Sequence, residues 1–155
     1  MKGWRRNKKP QISPYCPEWV HKFVHDLANY IRDFDGETAR KVVMTSFNTN
    51  EIIGKLGPYF FRDYSRDRSI WCGHTDHRNL DEIILLNSEY NVRLHMRFSQ
   101  EEWSELDELS FSLNRPIAHT TAALLILGLQ DKQVICEVAS GFTFFARGPY
   151  RVIRL

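Results

Sequence analysis

The stretch that most constrains this chain is IAHTTAALLILGL, residues 117–129. It has the length of a helix and is apolar around most of its circumference. A helix of that kind needs burial on more than one side. The residues just before it read as one strand and one short helix, which is too little cover. A second copy of the same unit would complete the burial, so the expectation is a homodimer.

The preceding residues carry a period-2 pattern. From Val92 to Phe98 apolar and polar side chains alternate, with Val92, Leu94, Met96 and Phe98 on one face and Arg93, His95 and Arg97 on the other. This is the signature of a half-buried strand. A helix start follows at once: Ser99 stands three residues before Glu102, the spacing of a capping box, and Phe98 and Trp103 occupy the positions of a hydrophobic staple. Trp103, Leu106, Leu109 and Leu113 form an apolar stripe, and Glu101, Glu105, Asp107 and Glu108 lie off it, facing solvent. Asn114 comes where a left-handed residue ends a helix, and Pro116 suits the first position of the next.

The segment RLHMRFSQEEWSELDELSFSLNRPIAHTTAALLILGL resembles the ribbon-helix-helix family, the Arc and MetJ type of DNA-binding module. The resemblance covers about 40 of 155 residues, from Tyr90 to Leu129. It implies two chains that pair their strands antiparallel and interlock their helices, with the ribbon entering the major groove. It further implies that Arg93, His95 and Arg97 face base edges, and that the start of the second helix, around Arg115, Ile117 and Ala118, offers backbone N–H groups to a phosphate. Asn114 and Pro116 stand where the family usually has a turn glycine and a small polar cap.

Length and composition bound the rest. A chain of 155 residues holds one full domain, or a small module and an equal extension. Hydrophobic content of 43% and aromatic content of 13% exclude general disorder. The expected class is α+β. A basic extended arm occupies 1–17, an N-terminal α+β extension 18–89, the ribbon-helix-helix-like module 90–130 and a C-terminal β segment 131–155. Within the extension, 18–32 and 50–56 read as helices, while 38–47 and 79–86 suit either helix or strand. In the last segment 133–140, 142–147 and 150–155 read as strands. No internal repeat stands out.

Net charge is +2, but residues 1–10 carry +5 from Lys2, Arg5, Arg6, Lys8 and Lys9, and residues 141–155 carry +3, which leaves −6 on the middle. Basic ends on an acidic body suit contact with a polyanion, and the N-terminal cations are candidate phosphate contacts. No apolar run reaches the ~18 residues that span a bilayer. Three separated cysteines, Cys16, Cys72 and Cys136, do not suggest a disulfide framework, and a cytoplasmic location is expected.

A competing chemistry lies in the histidines. Cys16 precedes His21 and His25, which share a helix face, and Cys72, His74 and His77 crowd into WCGHTDH. Cys and His in this number suit tetrahedral zinc, although the spacings match no common finger. A zinc-dependent hydrolase or metal-binding protein is thus the alternative to DNA binding, and a plain dimerisation or interaction module is a third. The motifs of the common hydrolases and nucleotide-binding enzymes are absent, so no catalytic residue is expected and neither is a cofactor.

Overall fold

The computed structural model describes residues 9–85 and 91–142. Its elements run β1 (Gln11–Ile12), β2 (Tyr15–Pro17), α1 (Glu18–Ile31), α2 (Asp35–Phe47), α3 (Asn50–Lys55), a 3-10 turn (Gly57–Tyr59), β3 (Tyr64–Arg66), β4 (Ser69–Trp71), α4 (Asp81–Leu85), β5 (Asn91–Arg93), β6 (Met96–Arg97), α5 (Gln100–Leu113), α6 (Ile117–Leu129) and α7 (Lys132–Val138). The protein is α+β, with small antiparallel ribbons on a helical body.

The strand expected at 92–98 finds its partner inside the same chain. β5 pairs antiparallel with β2 and β6 with β1, and the register places Gln11 opposite Arg97, Ile12 opposite Met96, Tyr15 opposite Arg93 and Cys16 opposite Val92. Between the two short ladders the Leu94 N–H donates to the Pro14 carbonyl at 3.1 Å, and beyond them the Phe98 N–H donates to that of Pro10 at 2.9 Å. Pro10 and Pro14 have no N–H to return, so the ribbon is continuous in space but interrupted in hydrogen bonding. The described part of the expected extended arm therefore pairs as strands β1 and β2. Residues 1–8 lie outside the described residues.

The expected extension contains a counterpart of the helix pair α5 and α6. A displacement of 82 residues carries Glu18, which opens α1, to Gln100, which opens α5, and Asp35, which opens α2, to Ile117, which opens α6. The helices match in length, 14 residues for α1 and α5 and 13 for α2 and α6. The same displacement carries Arg32 to Asn114, the left-handed residues that end α1 and α5 at φ 59° and 55°. Applied to the ribbon, it relates Ser13 to His95, whose side chains meet at 2.7 Å. Applied to the second helices, it relates Ser46 to Gly128, which face each other where α2 crosses α6. Residues related by the displacement thus touch at both places, as they must beside an approximate twofold axis.

Burial of α6 follows from this duplication. Leu124, Leu125, Ile126 and Leu129 are each at most 1% exposed, and burying each such side chain stabilises by about 1.5–3 kcal/mol. α2 provides the largest share of the cover, then α4 and α5, with α7, α1 and α3 adding edges. The cover expected from a second copy comes from within the chain. One hydrophobic core, from Ile12 to Phe142, crosses the boundary expected at residue 90.

Several local expectations change. The β segment expected at 133–140 is α7: Asp131 caps it by accepting from the Val134 N–H at 3.1 Å, and Val134 and Ile135 are buried, with α7 lying on α2. Their β-branching suggested a strand, but the capped turn and helical cover decide otherwise. The further strands expected at 142–147 and 150–155 lie, apart from Phe142, outside the described residues. Residues 38–47 are helical in α2, and 81–85 form α4. Pro116 is the N-cap of α6 rather than its first residue. The capping box at Ser99 is present, with Ser99 Oγ accepting from the Glu102 N–H at 3.1 Å and Glu102 accepting from the Ser99 N–H at 2.9 Å.

The α2–α6 crossing yields a stability test. A Cβ on Gly128 would fall 2.0 Å from Ser46 Oγ, 2.9 Å from Val42 Cγ1 and 3.4 Å from Ser46 Cβ. Gly128→Ala should therefore destabilise by about 1–3 kcal/mol despite its better helix propensity. Adding Ser46→Ala should recover part of that loss, because only the Cβ contact then remains at this residue. Denaturant unfolding of the two single variants and the double variant measures the coupling, and a neutral Gly128→Ala would show that the helices do not approach so closely.

Candidate nucleic-acid interface

The ribbon has two chemically distinct faces. Ile12, Pro14 and Cys16 from one strand, with Leu94, Met96 and Phe98 from the other, are buried against the helices. Gln11, Tyr15, Arg93, His95 and Arg97 are exposed on the opposite face, with Ser13 half-buried among them. Strand alternation makes this separation unavoidable once one face meets the core. Arg93, His95 and Arg97 thus come together as the alternation at 92–98 anticipates. Gln11, Ser13 and Tyr15 join them from a stretch, Gln11-Ile12-Ser13-Pro14-Tyr15-Cys16, that carries the same alternation. Pro10, Pro14 and Pro17 mask that alternation in the sequence, because proline is uncommon inside a strand.

The face is held by its own cross-strand contacts. The guanidinium of Arg93 lies over the Tyr15 ring at 4.6 Å, a cation–π arrangement. Gln11 Nε2 donates to Ser13 Oγ at 3.0 Å, and Ser13 Oγ meets His95 Nδ1 at 2.7 Å. Among the described residues neither Arg93 nor Arg97 forms an ion pair. From the core side, α2 presses its first turn on the ribbon: a Cβ on Gly36 would lie 2.4 Å from the His95 carbonyl oxygen, so only glycine allows this approach.

Neighbouring cations are committed elsewhere. Arg40 bridges Glu37 and Glu102, each at 2.7 Å, and so ties α2 to the capping box of α5. The hydrogen bond from Arg40 holds the Glu37 carboxyl below its ordinary range. Lys41 pairs with Asp33 at 2.9 Å. Arg115, expected to meet phosphate, instead donates to Asp81 at 2.6 Å, and the other Asp81 oxygen is 2.8 Å from His119 Nδ1. Asp81 thus holds the side chains of both Arg115 and His119 at the start of α6. A cavity of about 360 Å³ separates this cluster from the Tyr15 and Arg93 end of the ribbon. Of the N-terminal cations, Lys9 is exposed next to β1. Lys2, Arg5, Arg6 and Lys8 lie outside the described residues.

The two proposed metal clusters do not assemble. Among the described residues no group of three or more His, Cys, Asp or Glu side chains could hold an ion. Cys16 is fully buried on the inner face of β2, and burial pushes its thiol up to about 12. His25 turns to Asp35, with Nδ1 at 3.2 Å from the carboxylate. The ring of His77 meets Phe61 edge-on, with centroids 4.9 Å apart. His21 is half-buried on α1, and Cys72 and His74 are exposed beyond β4. Also among the described residues, no helix is long and apolar enough to cross a membrane.

Comparison with known proteins adds no assignment: no family model matches the sequence, and no similar curated protein or solved structure was found.

Cys16 provides a check on the ribbon's inner face. Cys72 and Cys136 are exposed, so a thiol reagent at neutral pH should modify two cysteines of the native protein promptly and the third only on unfolding. The raised Cys16 value also predicts a pH effect. Stability from the protonated thiol is complete below its unfolded value of 9.0 and is lost as pH climbs towards about 12. Three thiols reacting at one rate would contradict a buried Cys16.

Proposed function

We propose that this protein binds double-stranded DNA sequence-specifically, laying the outer face of its two-stranded ribbon in the major groove, and acts as a transcriptional regulator. The observation that carries this reading is the face itself: two antiparallel strands that present Gln11, Ser13, Tyr15, Arg93, His95 and Arg97 outward, with two arginines free of acidic partners among the described residues. A two-stranded ribbon fits the major groove, and Arg and Gln carry the paired donors and acceptors that match guanine and adenine edges. In this reading the two strand–helix–helix halves are a single-chain counterpart of the ribbon-helix-helix dimer, so the binding unit is complete in one chain.

The N-terminal cations contribute differently from the ribbon. Phosphate contacts raise affinity for every sequence and weaken with salt, whereas base contacts discriminate. Arg115 belongs to neither group, since it serves the Asp81 cluster.

Arg97→Ala and Arg93→Ala should each cost about 1–3 kcal/mol of specific binding and leave the fold intact. Removing residues 1–8, and with them Lys2, Arg5, Arg6 and Lys8, should weaken binding to all duplexes alike and flatten its salt dependence. Arg115→Ala should lower thermal stability without changing sequence preference. Titrations on the duplex upstream of the protein's own gene, at two salt concentrations with nonspecific competitor, distinguish these effects. Arginine variants that bind like the parent would reduce the ribbon to a solvated surface and favour an interaction module.

A further inference from the structure

We infer, resting on the DNA-binding reading, that the target is a non-palindromic duplex site occupied by a single chain. A ribbon built from two identical chains presents every outward side chain twice, at equal distances from its twofold axis, and its target mirrors that symmetry. Here the approximate axis passes between Ser13 and His95, and both strands belong to one chain. The residues it relates differ in every outward pair: Gln11 with Arg93, Ser13 with His95, Tyr15 with Arg97.

The difference is one of recognition chemistry. One strand carries two permanent cations and a histidine, and the other carries an amide, a hydroxyl and a phenol. At one end of the ribbon Arg97 stands opposite Gln11, so a fork for guanine lies beside a paired donor and acceptor for adenine. At the other end Arg93 stands opposite Tyr15 and is stacked on its ring at 4.6 Å. The guanidinium there is constrained by the aromatic face, and a phenol rather than an amide stands opposite it. The two sides of the bound site therefore face unlike readers, and an inverted repeat would place one of its halves against the wrong set.

The rest of the fold makes this asymmetry permanent. The halves are joined through the intervening 48–90 segment and share one core, so a single chain contains both readers in fixed opposition. Nor are the flanks of the ribbon equivalent. The α2 side brings Gly36 close against the His95 carbonyl, whereas the corresponding α6 side carries Ala118 and the Asp81–Arg115–His119 cluster.

The test is selection by the full-length protein from random double-stranded oligonucleotides, followed by sedimentation of the complex with the selected duplex. The expected result is a motif unlike its own reverse complement, saturating at one chain per duplex. The combined variant Gln11→Arg, Ser13→His, Tyr15→Arg gives both strands the same outward residues and should move the selected motif towards an inverted repeat. Gln11→Arg alone should alter preference on one side of the centre only. A palindromic motif from the parent protein, or two chains on one site, would overturn the inference and leave the DNA-binding reading standing. Failure to enrich any duplex would overturn both.

Discussion

Where α2 crosses α6, Gly128 has no side chain and Ser46 fills the gap, with its hydroxyl turned back to the Val42 carbonyl at 2.7 Å. Most of the architecture hangs on this contact. It lets the largely buried α6 and the buried face of α2 approach closely enough to cover one another, and their first turns reach the underside of the ribbon from opposite sides. Gly36 meets the His95 backbone there. A looser crossing would draw those first turns from the strands and open the ribbon's inner face to water. The contact also exploits the single chain. Two identical chains would have to place the same residue on both sides of a twofold crossing, whereas serine can face glycine here.

The polar architecture divides the cations into two groups. Arg40, Lys41 and Arg115 tie helices and the turns between them through Glu37, Glu102, Asp33 and Asp81, in half-buried settings. Partial burial keeps these pairs out of full solvent screening, and their removal would leave acids without compensation. Arg93 and Arg97 project from a strand face that the core cannot reach. A net charge of +2 conceals this division. What matters for a polyanion is which cations share a face without an acidic partner, and among the described residues the ribbon supplies two of them 4 residues apart on one strand.

Local features were legible without the tertiary structure. The alternation at 92–98, the Ser99 capping box, the left-handed Asn114 and the apolar α6 each depend on neighbours within a few residues, and each is present. The helix at Lys132–Val138 was not legible as one, because Val134, Ile135 and Val138 suit either period until a neighbouring helix selects one face. The duplication was less legible still. Over residues 11–47 and 93–129 only Leu27 with Leu109 and Thr38 with Thr120 are identical. What recurs is burial and helix length, which many unrelated side chains satisfy.

The sequence by itself determined that Arg93, His95 and Arg97 would share an exposed strand face and that residues 117–129 would need cover on several sides. Both follow from periodicity, a property of the chain's own geometry. Only the tertiary structure decided where the cover and the second strand come from. Pairing between residues 10–17 and 91–98 is a long-range choice, made because the chain's own strand and α2 match the unsatisfied edge and the apolar helix. No local pattern distinguishes that partner from a second copy, since both would present the same kind of edge and the same kind of face. The outcome turns Gln11, Ser13 and Tyr15 from arm residues into one half of the ribbon's outer face.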